Sequence, residues 1–144
     1  MTEPAASASK KKVMIVDDAP LMRLVIRNMV DANPKLSVVA VAENGKVALD
    51  KLGEHQPDLI LLDIEMPVMD GLEFLRYARL KSKAKVVILS SVAAAGSEKA
   101  AKARALGADA VVTKPSGAVS LDLEEKRGST LIQIIYELLG IPAE

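Results

Sequence analysis

The sequence predicts an α/β fold: a doubly wound sheet of five parallel strands with helices on both faces. Five short apolar runs alternate with helix-type patterns along the 144 residues. Alternation at this spacing implies βαβ units with right-handed crossovers. An uninterrupted apolar run bounded by turn residues is typical of a strand that is covered on both faces. Five such units are too few for an eight-fold barrel.

The amino-acid composition excludes several classes of protein. Nineteen basic and nineteen acidic residues give a formal net charge of zero, which argues against nucleic-acid binding through the overall field. The chain has no cysteine, which excludes thiol chemistry and is consistent with a reducing compartment, so we expect a cytoplasmic protein. No apolar run reaches the length of a membrane span. We predict a disordered tail at residues 1–11, one domain at residues 12–140, and a short tail at residues 141–144.

Three strands and two helices are predicted in the first half of the chain. Val13–Val16 is a short buried strand, and Pro20 suits the first turn of a helix. Asp18 or Ala19 would lie just before it, and aspartate is the better capping residue. Apolar residues then recur on one helical face until an Asn-Pro pair ends the helix. The remaining elements are a strand at Leu36–Ala42, a helix opened by Asn44-Gly45 and closed by Gln56-Pro57, and a strand at Leu59–Asp63.

The second half continues the alternation. Asp70 or Gly71 opens a helix, Lys85–Ser90 is the fourth strand, and Ser97 is a plausible cap for a helix at Glu98–Leu106. Gly107 is placed for a left-handed helix end. The predicted elements that follow are a fifth strand at Ala110–Thr113, a polar loop at residues 115–128, and a last helix at Ser129–Leu139.

The last helix is apolar on nearly every side, which indicates burial on more than one side. Leu131, Ile134, Ile135 and Leu138 form one face, and Ile132, Tyr136 and Leu139 lie off it. Two interpretations remain open. The helix is either a well-covered terminal helix or part of an interface, formed with a second copy of the chain or with a missing effector domain.

Polar side chains stand where the predicted strands end. Asp17 and Asp18 follow strand 1, Asp63 ends strand 3, Ser90 ends strand 4 and Lys114 follows strand 5. In a parallel sheet these ends share one edge, where open α/β sheets bind ligands. Three carboxylates together require a cation, and oxygen-only ligation selects a hard ion, most naturally Mg²⁺. Together with a lysine and a hydroxyl, this set suits a phosphoryl group held on a nucleophilic aspartate.

These motifs resemble the receiver domain of two-component response regulators, most closely the chemotaxis type, CheY-like or like the receiver that heads CheB methylesterases. The resemblance rests on Asp17-Asp18, the stretch LLDIEMPVMDG around Asp63, Ser90, and Lys114-Pro115. It extends over residues 11–139 and implies a flavodoxin-like (βα)5 sheet in the strand order 2-1-3-4-5.

The resemblance also implies roles for individual residues. Asp63 would be phosphorylated, Asp18 would ligate Mg²⁺ directly and Asp17 mainly through water, and Glu65 would add its backbone carbonyl. Ser90 would move toward the phosphoryl oxygens, and Lys114 would pair with them.

A sensor histidine kinase would be the phosphodonor, and a downstream protein or a missing effector domain would be the output. The chain would then catalyse only its own phosphorylation and dephosphorylation. Two positions depart from the family pattern: Val111 replaces the usual aromatic switch, and Val92 offers no polar group to orient an attacking water. Because of Val92, we predict slow self-dephosphorylation.

Two other functions compete with this interpretation. The acid-x-acid spacing of Asp63 and Glu65 also occurs in phosphatases that form an aspartyl-phosphate, but there the nucleophile lies on the first strand. A flavin-binding, flavodoxin-like module would need a hydroxyl-rich phosphate loop after strand 1 and aromatic walls. This chain has Asp-Asp-Ala-Pro in that loop and three aromatic residues in all.

Overall fold

The computed structural model describes residues 10–64, 71–90, 98–113 and 131–141. Within these ranges five strands alternate with five helices. The strands are β1 (Lys11–Val16), β2 (Leu36–Ala42), β3 (Leu59–Asp63), β4 (Lys85–Ser90) and β5 (Ala110–Thr113). The helices are α1 (Pro20–Asp31), α2 (Gly45–His55), α3 (Gly71–Lys81), α4 (Glu98–Ala105) and α5 (131–139).

The predicted bounds agree closely with these elements. Strands β2 to β5 have the predicted bounds, β1 begins two residues earlier, and α4 ends at Ala105 where Leu106 was expected. The N-terminal segment at residues 1–9, the polar loop at 115–128 and the proposed cap Ser97 lie outside the described residues.

The five strands form one parallel sheet in the order β2-β1-β3-β4-β5. This order confirms the predicted doubly wound fold. The strand order reverses between β1 and β3, because β2 is added on one side of β1 and β3 to β5 on the other. Sheets of this kind bind ligands at such a point, beyond the carboxyl ends of their strands. The register aligns Val16 with Leu62 and Asp63 with Leu89, so Asp17, Asp63 and Ser90 reach the same edge.

Each face of the sheet is covered by its own hydrophobic cluster. One face packs against α2, α3 and α4 through Phe74, Leu75 and other buried side chains, and the opposite face packs against α1 and α5. All five residues of β3 are buried. This complete burial explains why β3 is apolar at every position before Asp63, since neither face of the strand meets water.

The helix ends show how the turns are specified. Asn44 caps α2, because its side chain accepts a hydrogen bond of 2.9 Å from the amide of Val47. Gly107 has the predicted left-handed conformation, with φ of 110°. Of the two residues proposed to precede α1, the structure selects Ala19, which makes no side-chain capping bond. The alternative, Asp18 as the cap, is therefore wrong.

The described part of α5 is covered on most sides. Leu131 and Ile135 are buried, and the other apolar side chains pack half-buried against the same cluster. Tyr136 also donates a 2.5 Å hydrogen bond from its hydroxyl to Oδ1 of Asn33, just before β2. These contacts favour the well-covered terminal helix, and self-association through α5 stays a prediction.

Candidate functional site

Asp17 is fully buried at the end of β1, and the main chain fixes its position. Its amide donates to the carbonyl of Ala42, which extends the pairing with β2 by one residue. Its Oδ1 accepts a 2.9 Å hydrogen bond from the amide of Ala19. The loop between β1 and α1 is therefore organised around this carboxylate.

Asp63 is the last residue of β3, and its position depends on a glycine. The amide of Gly71, at the start of α3, donates a 2.7 Å bond to the carbonyl of Ile64. A Cβ atom at Gly71 would collide with the carbonyl oxygen of Asp63 and lie 2.8 Å from the Cα of Ile64. Only glycine therefore lets α3 begin this close to the end of β3. The sequence contained this signal as Asp-Gly, which predicted only a helix start.

Three carboxylates converge at this edge. One oxygen each from Asp17, Asp18 and Asp63 lie within 4.8 Å of one another. Asp17 and Asp63 are buried, whereas Asp18 is exposed, so the cluster opens to solvent on its Asp18 side. At an effective dielectric constant of about 20, two such charges repel by roughly 3–4 kcal/mol. A divalent cation bound by all three would remove this repulsion.

The donor set fits a hard cation. The cluster consists of carboxylate oxygens alone, without histidine nitrogen or thiolate. Mg²⁺ is typically bound through one or two carboxylates and retains several waters, which an open, partly exposed cluster permits. The structure thus brings together Asp17, Asp18 and Asp63, which the sequence predicted as one group.

Ser90 ends β4 beside Asp63. Its side chain is 3% exposed, and its hydroxyl has no hydrogen-bond partner among the described residues. A buried hydroxyl usually has a partner, because an unmade hydrogen bond costs about 1–3 kcal/mol. The serine therefore has a donor available for an oxygen that arrives at this edge.

Some predicted site residues lie beyond what the structure describes. Glu65 and Lys114 are outside the described residues, as is Val92. Val111, by contrast, lies half-buried on β5 against the cluster that packs on α2 to α4. At the position where the family usually has an aromatic switch residue, this chain therefore has an aliphatic side chain that packs against the margin of the core.

Arg23 is a site residue that the sequence pattern missed. Helical periodicity placed it on the polar face of α1, but its Nη1 donates a 2.7 Å hydrogen bond to the carbonyl oxygen of Asp17. The available signal was an arginine one turn into the helix that follows an acidic pair. That signal says nothing about where the guanidinium points.

Two cavities lie away from the carboxylate cluster. One, of about 470 Å³, lies at the opposite edge of the sheet between the ends of α2 and α3. The other, of about 550 Å³, lies between α3 and α4 and is lined in part by Tyr77 and Lys102. Neither cavity includes a predicted site residue.

No helix in the described ranges is long and apolar enough to cross a membrane, and a cytoplasmic location stays a prediction.

Comparison with protein families gives one match across most of the chain. Residues 13–124 match the response regulator receiver domain. A protein-glutamate methylesterase/protein-glutamine glutaminase of Halalkalibacterium halodurans is 46% identical over 119 residues, which is 83% of this chain and 34% of the relative. The corresponding protein of Treponema denticola is 48% identical over 113 residues, 78% of this chain and 30% of the relative. The chain spans about a third of the length of these curated relatives.

Solved structures agree with the family match. The response regulator domain of Thermotoga maritima CheB superposes with a TM-score of 0.81 at 32% identity, covering 93% of this chain and 99% of that one. A chain from the crystal structure of the P1 domain of CheA3 in complex with CheY6 from R. sphaeroides is 55% identical. It has a TM-score of 0.77 and covers 92% of this chain and 98% of its own.

Proposed function

The chain belongs to the response regulator receiver domain family, and we propose that Asp63 is its phosphoacceptor. It is a receiver domain of the chemotaxis type, a class that works by phosphotransfer. The observation that carries the residue assignment is the convergence of Asp17, Asp18 and Asp63 within 4.8 Å. Asp63 lies at the centre of the sheet edge, at the end of a strand with no exposed position.

Asp17, Asp18 and Asp63 would hold Mg²⁺, with the backbone carbonyl of Glu65 as a further ligand. Mg²⁺ supplies positive charge that offsets the negative charge on the transferred phosphoryl oxygens. A carboxylate oxygen of Asp63 forms the new bond to phosphorus while the bond from phosphorus to the donor's histidine nitrogen breaks. Ser90 would then donate a hydrogen bond from its hydroxyl to a phosphoryl oxygen, and Lys114 would pair with the group.

Phosphorylation by a small-molecule donor tests the assignment. Incubation with acetyl phosphate and Mg²⁺ should give an acid-stable, base-labile label on Asp63, and Asp63→Asn should abolish it. Asp58→Asn is the matched control, because Asp58 precedes the same strand at the opposite edge and should keep the label. Chelation of divalent cations should also abolish labelling. Full labelling of Asp63→Asn would overturn the proposal, and turnover of phosphomonoesters would favour the phosphatase alternative.

An exposed apolar patch on α1 is suited to dock the phosphodonor. Leu21 is 67% exposed and Leu24 54% exposed, and both lie in the first turns of the helix that follows Asp17 and Asp18. Two leucines exposed one turn apart beside the acidic cluster give apolar surface that a partner protein would cover. The similar CheY6 structure contains a kinase P1 domain, which supports a histidine kinase domain as the partner.

Substitution in this patch separates docking from chemistry. Leu21→Ser with Leu24→Ser should slow phosphotransfer from the cognate kinase at least tenfold and leave labelling by acetyl phosphate unchanged. Leu80→Ser is the control, since Leu80 is 83% exposed but lies on α3. Equal loss with both donors would point to damage at the site itself, and unchanged kinase transfer would remove α1 as the docking surface.

The output is either a linked effector domain or a separate protein. The methylesterases are about three times as long as the matching region, which supports a linked domain, whereas the chain in the CheY6 complex structure is matched over nearly its whole length. Phosphorylation would change the surface near Ser90 and Val111 in either case. Sedimentation with and without beryllofluoride tests the remaining option, a homodimer through the last helix, and a monomer in both states would exclude it.

The phosphoryl group should be lost slowly. Val92 has no polar group to orient an attacking water. The half-life of the aspartyl-phosphate in the purified protein should therefore be minutes or longer. A half-life of seconds would refute this expectation.

A further inference from the structure

The side chain of Arg23 contacts the main chain of the acidic pair Asp17-Asp18. The residue lies one turn into α1, and its guanidinium reaches back to the carbonyl oxygen of Asp17 at 2.7 Å. That carbonyl belongs to the peptide unit that joins Asp17 to Asp18. Hydrogen bonds with a charged donor are stronger than neutral ones, so this contact restrains the orientation of the peptide from which both carboxylates project.

Among the hydrogen bonds that hold Asp17, the one from Arg23 has a distinct place. The amide of Asp17 is held by β2, and its Oδ1 is held by the amide of Ala19 within the same loop. The bond from Arg23 ties the loop to the body of α1. Without it, the peptide between the two acidic residues loses this hydrogen bond to the body of α1.

We propose that Arg23 is a positioning residue for the divalent cation: its hydrogen bond keeps Asp17 and Asp18 convergent on Asp63. This inference rests on the proposed cation site. A positive charge near a cation site would by itself weaken cation binding. Positioning and charge therefore predict opposite signs when the guanidinium is removed, and the sign of the effect separates them.

The experiment measures cation affinity without any phosphodonor. Mn²⁺ binding is followed by electron paramagnetic resonance of the free ion, and Mg²⁺ affinity is obtained by competition. Arg23→Met should weaken both affinities about tenfold, the equivalent of about 1.4 kcal/mol, although it removes a positive charge. Tighter or unchanged binding in Arg23→Met would overturn the proposal.

Arg27→Met is the matched control. Arg27 lies on the same helix one turn later, is half-exposed, and pairs with Asp31 at 3.6 Å. Its removal takes away the same charge without touching the loop, so the affinities should stay within about twofold of the wild type. A loss at Arg27 equal to that at Arg23 would show a general effect of α1 and would also overturn the proposal.

Two further measurements distinguish positioning from loss of folding. The amide of Ala19, which bonds Asp17, should exchange with solvent at least tenfold faster in Arg23→Met, while the amides of β3 keep their protection. Arg23→Lys, which restores a charged donor, should recover part of the affinity. Uniformly faster exchange across the sheet, or no recovery by lysine, would contradict a local positioning role.

Failure of this inference is distinguishable from failure of the proposed function. If wild-type protein binds Mn²⁺ and Asp18→Asn reduces that binding, the cation site stands whatever Arg23 does. If wild-type protein binds no divalent cation, the proposed site itself fails, and the inference about Arg23 fails with it.

Discussion

Aspartates lie at both ends of the parallel strands, at the edge of the sheet where strands begin and at the edge where they end. Asp58 and Asp109, where strands begin, bond the main chain of a neighbouring strand. Asp58 precedes β3 and bonds Lys12 twice: its Oδ2 accepts from the amide of Lys12, and its own amide donates to the carbonyl. Asp109 precedes β5 and makes the same pair of bonds to Val86. Each carboxylate thus extends a strand ladder by one step.

At the edge where strands end, the aspartates face one another. Asp17, Asp18 and Asp63 bring their oxygens within 4.8 Å, so their charges add in one place. At the other edge, Asp58 and Asp109 each bond a separate main-chain amide. The carboxylates of Asp58 and Asp109 thus serve the strand ladder, whereas Asp17, although it also accepts from the amide of Ala19, joins the carboxylates proposed to hold a cation. The four predictions that follow test this difference, from the largest expected effect to the smallest.

Substitution of glycine by alanine should change the stability of the fold in opposite directions near the two ends of the strands. Gly71→Ala places a Cβ against the main chain of Asp63 and Ile64 and should destabilise the fold by about 3 kcal/mol. Gly53→Ala, in α2 with nothing within 4 Å of the added atom, should stabilise it by roughly 0.5–1 kcal/mol. Urea unfolding measures both changes, and a neutral Gly71→Ala would show that α3 can shift away from β3.

Neutralising the carboxylate cluster should stabilise the metal-free protein. Asp63→Asn removes one charge from a group of three and should raise the free energy of unfolding by about 2 kcal/mol with chelator present. Saturating Mg²⁺ should reverse the order, because the wild type then gains binding energy that the variant lacks. Urea unfolding with and without Mg²⁺ measures both, and a less stable Asp63→Asn in chelator would mean that the three charges do not repel.

At the opposite edge, removing a carboxylate should destabilise the fold without affecting the site. Asp109→Ala leaves the amide of Val86 without its acceptor and should cost about 1 kcal/mol. Asp109→Asn keeps an acceptor oxygen and should cost less. Labelling by acetyl phosphate should be unchanged in both variants, and a loss of label in a folded Asp109→Ala would end the distinction between the two edges.

The smallest effect is expected where α5 meets the turn before β2. Tyr136→Phe removes the hydrogen bond to Oδ1 of Asn33, while Asn33 still accepts from the amide of Lys35. The cost should be about 0.5–1 kcal/mol in urea unfolding, with phosphorylation unchanged. Altered labelling would indicate that the packing of α5 is coupled to the distant acidic edge.

The sequence by itself determined the elements and the order of the acidic residues. Short, mainly apolar runs bounded by turn residues are typical of covered strands, so the bounds of β2 to β5 could be predicted closely from the pattern. Once alternation implied a parallel sheet, Asp17, Asp18, Asp63 and Ser90 had to share one edge. Each of these residues ends or follows a strand, and parallel strands all end on the same side of the sheet.

Only the tertiary structure decided how each polar group is used. Asp58 and Asp17 both lie next to a strand end, yet the carboxylate of Asp58 bonds a neighbouring strand and that of Asp17 joins a cluster. Periodicity placed Arg23 on a polar face but could not show that it reaches Asp17. Capping preference favoured Asp18 before α1, where the structure has Ala19. The physical reason is that these contacts join separate elements or depend on how a loop turns, and local patterns carry no record of such distances.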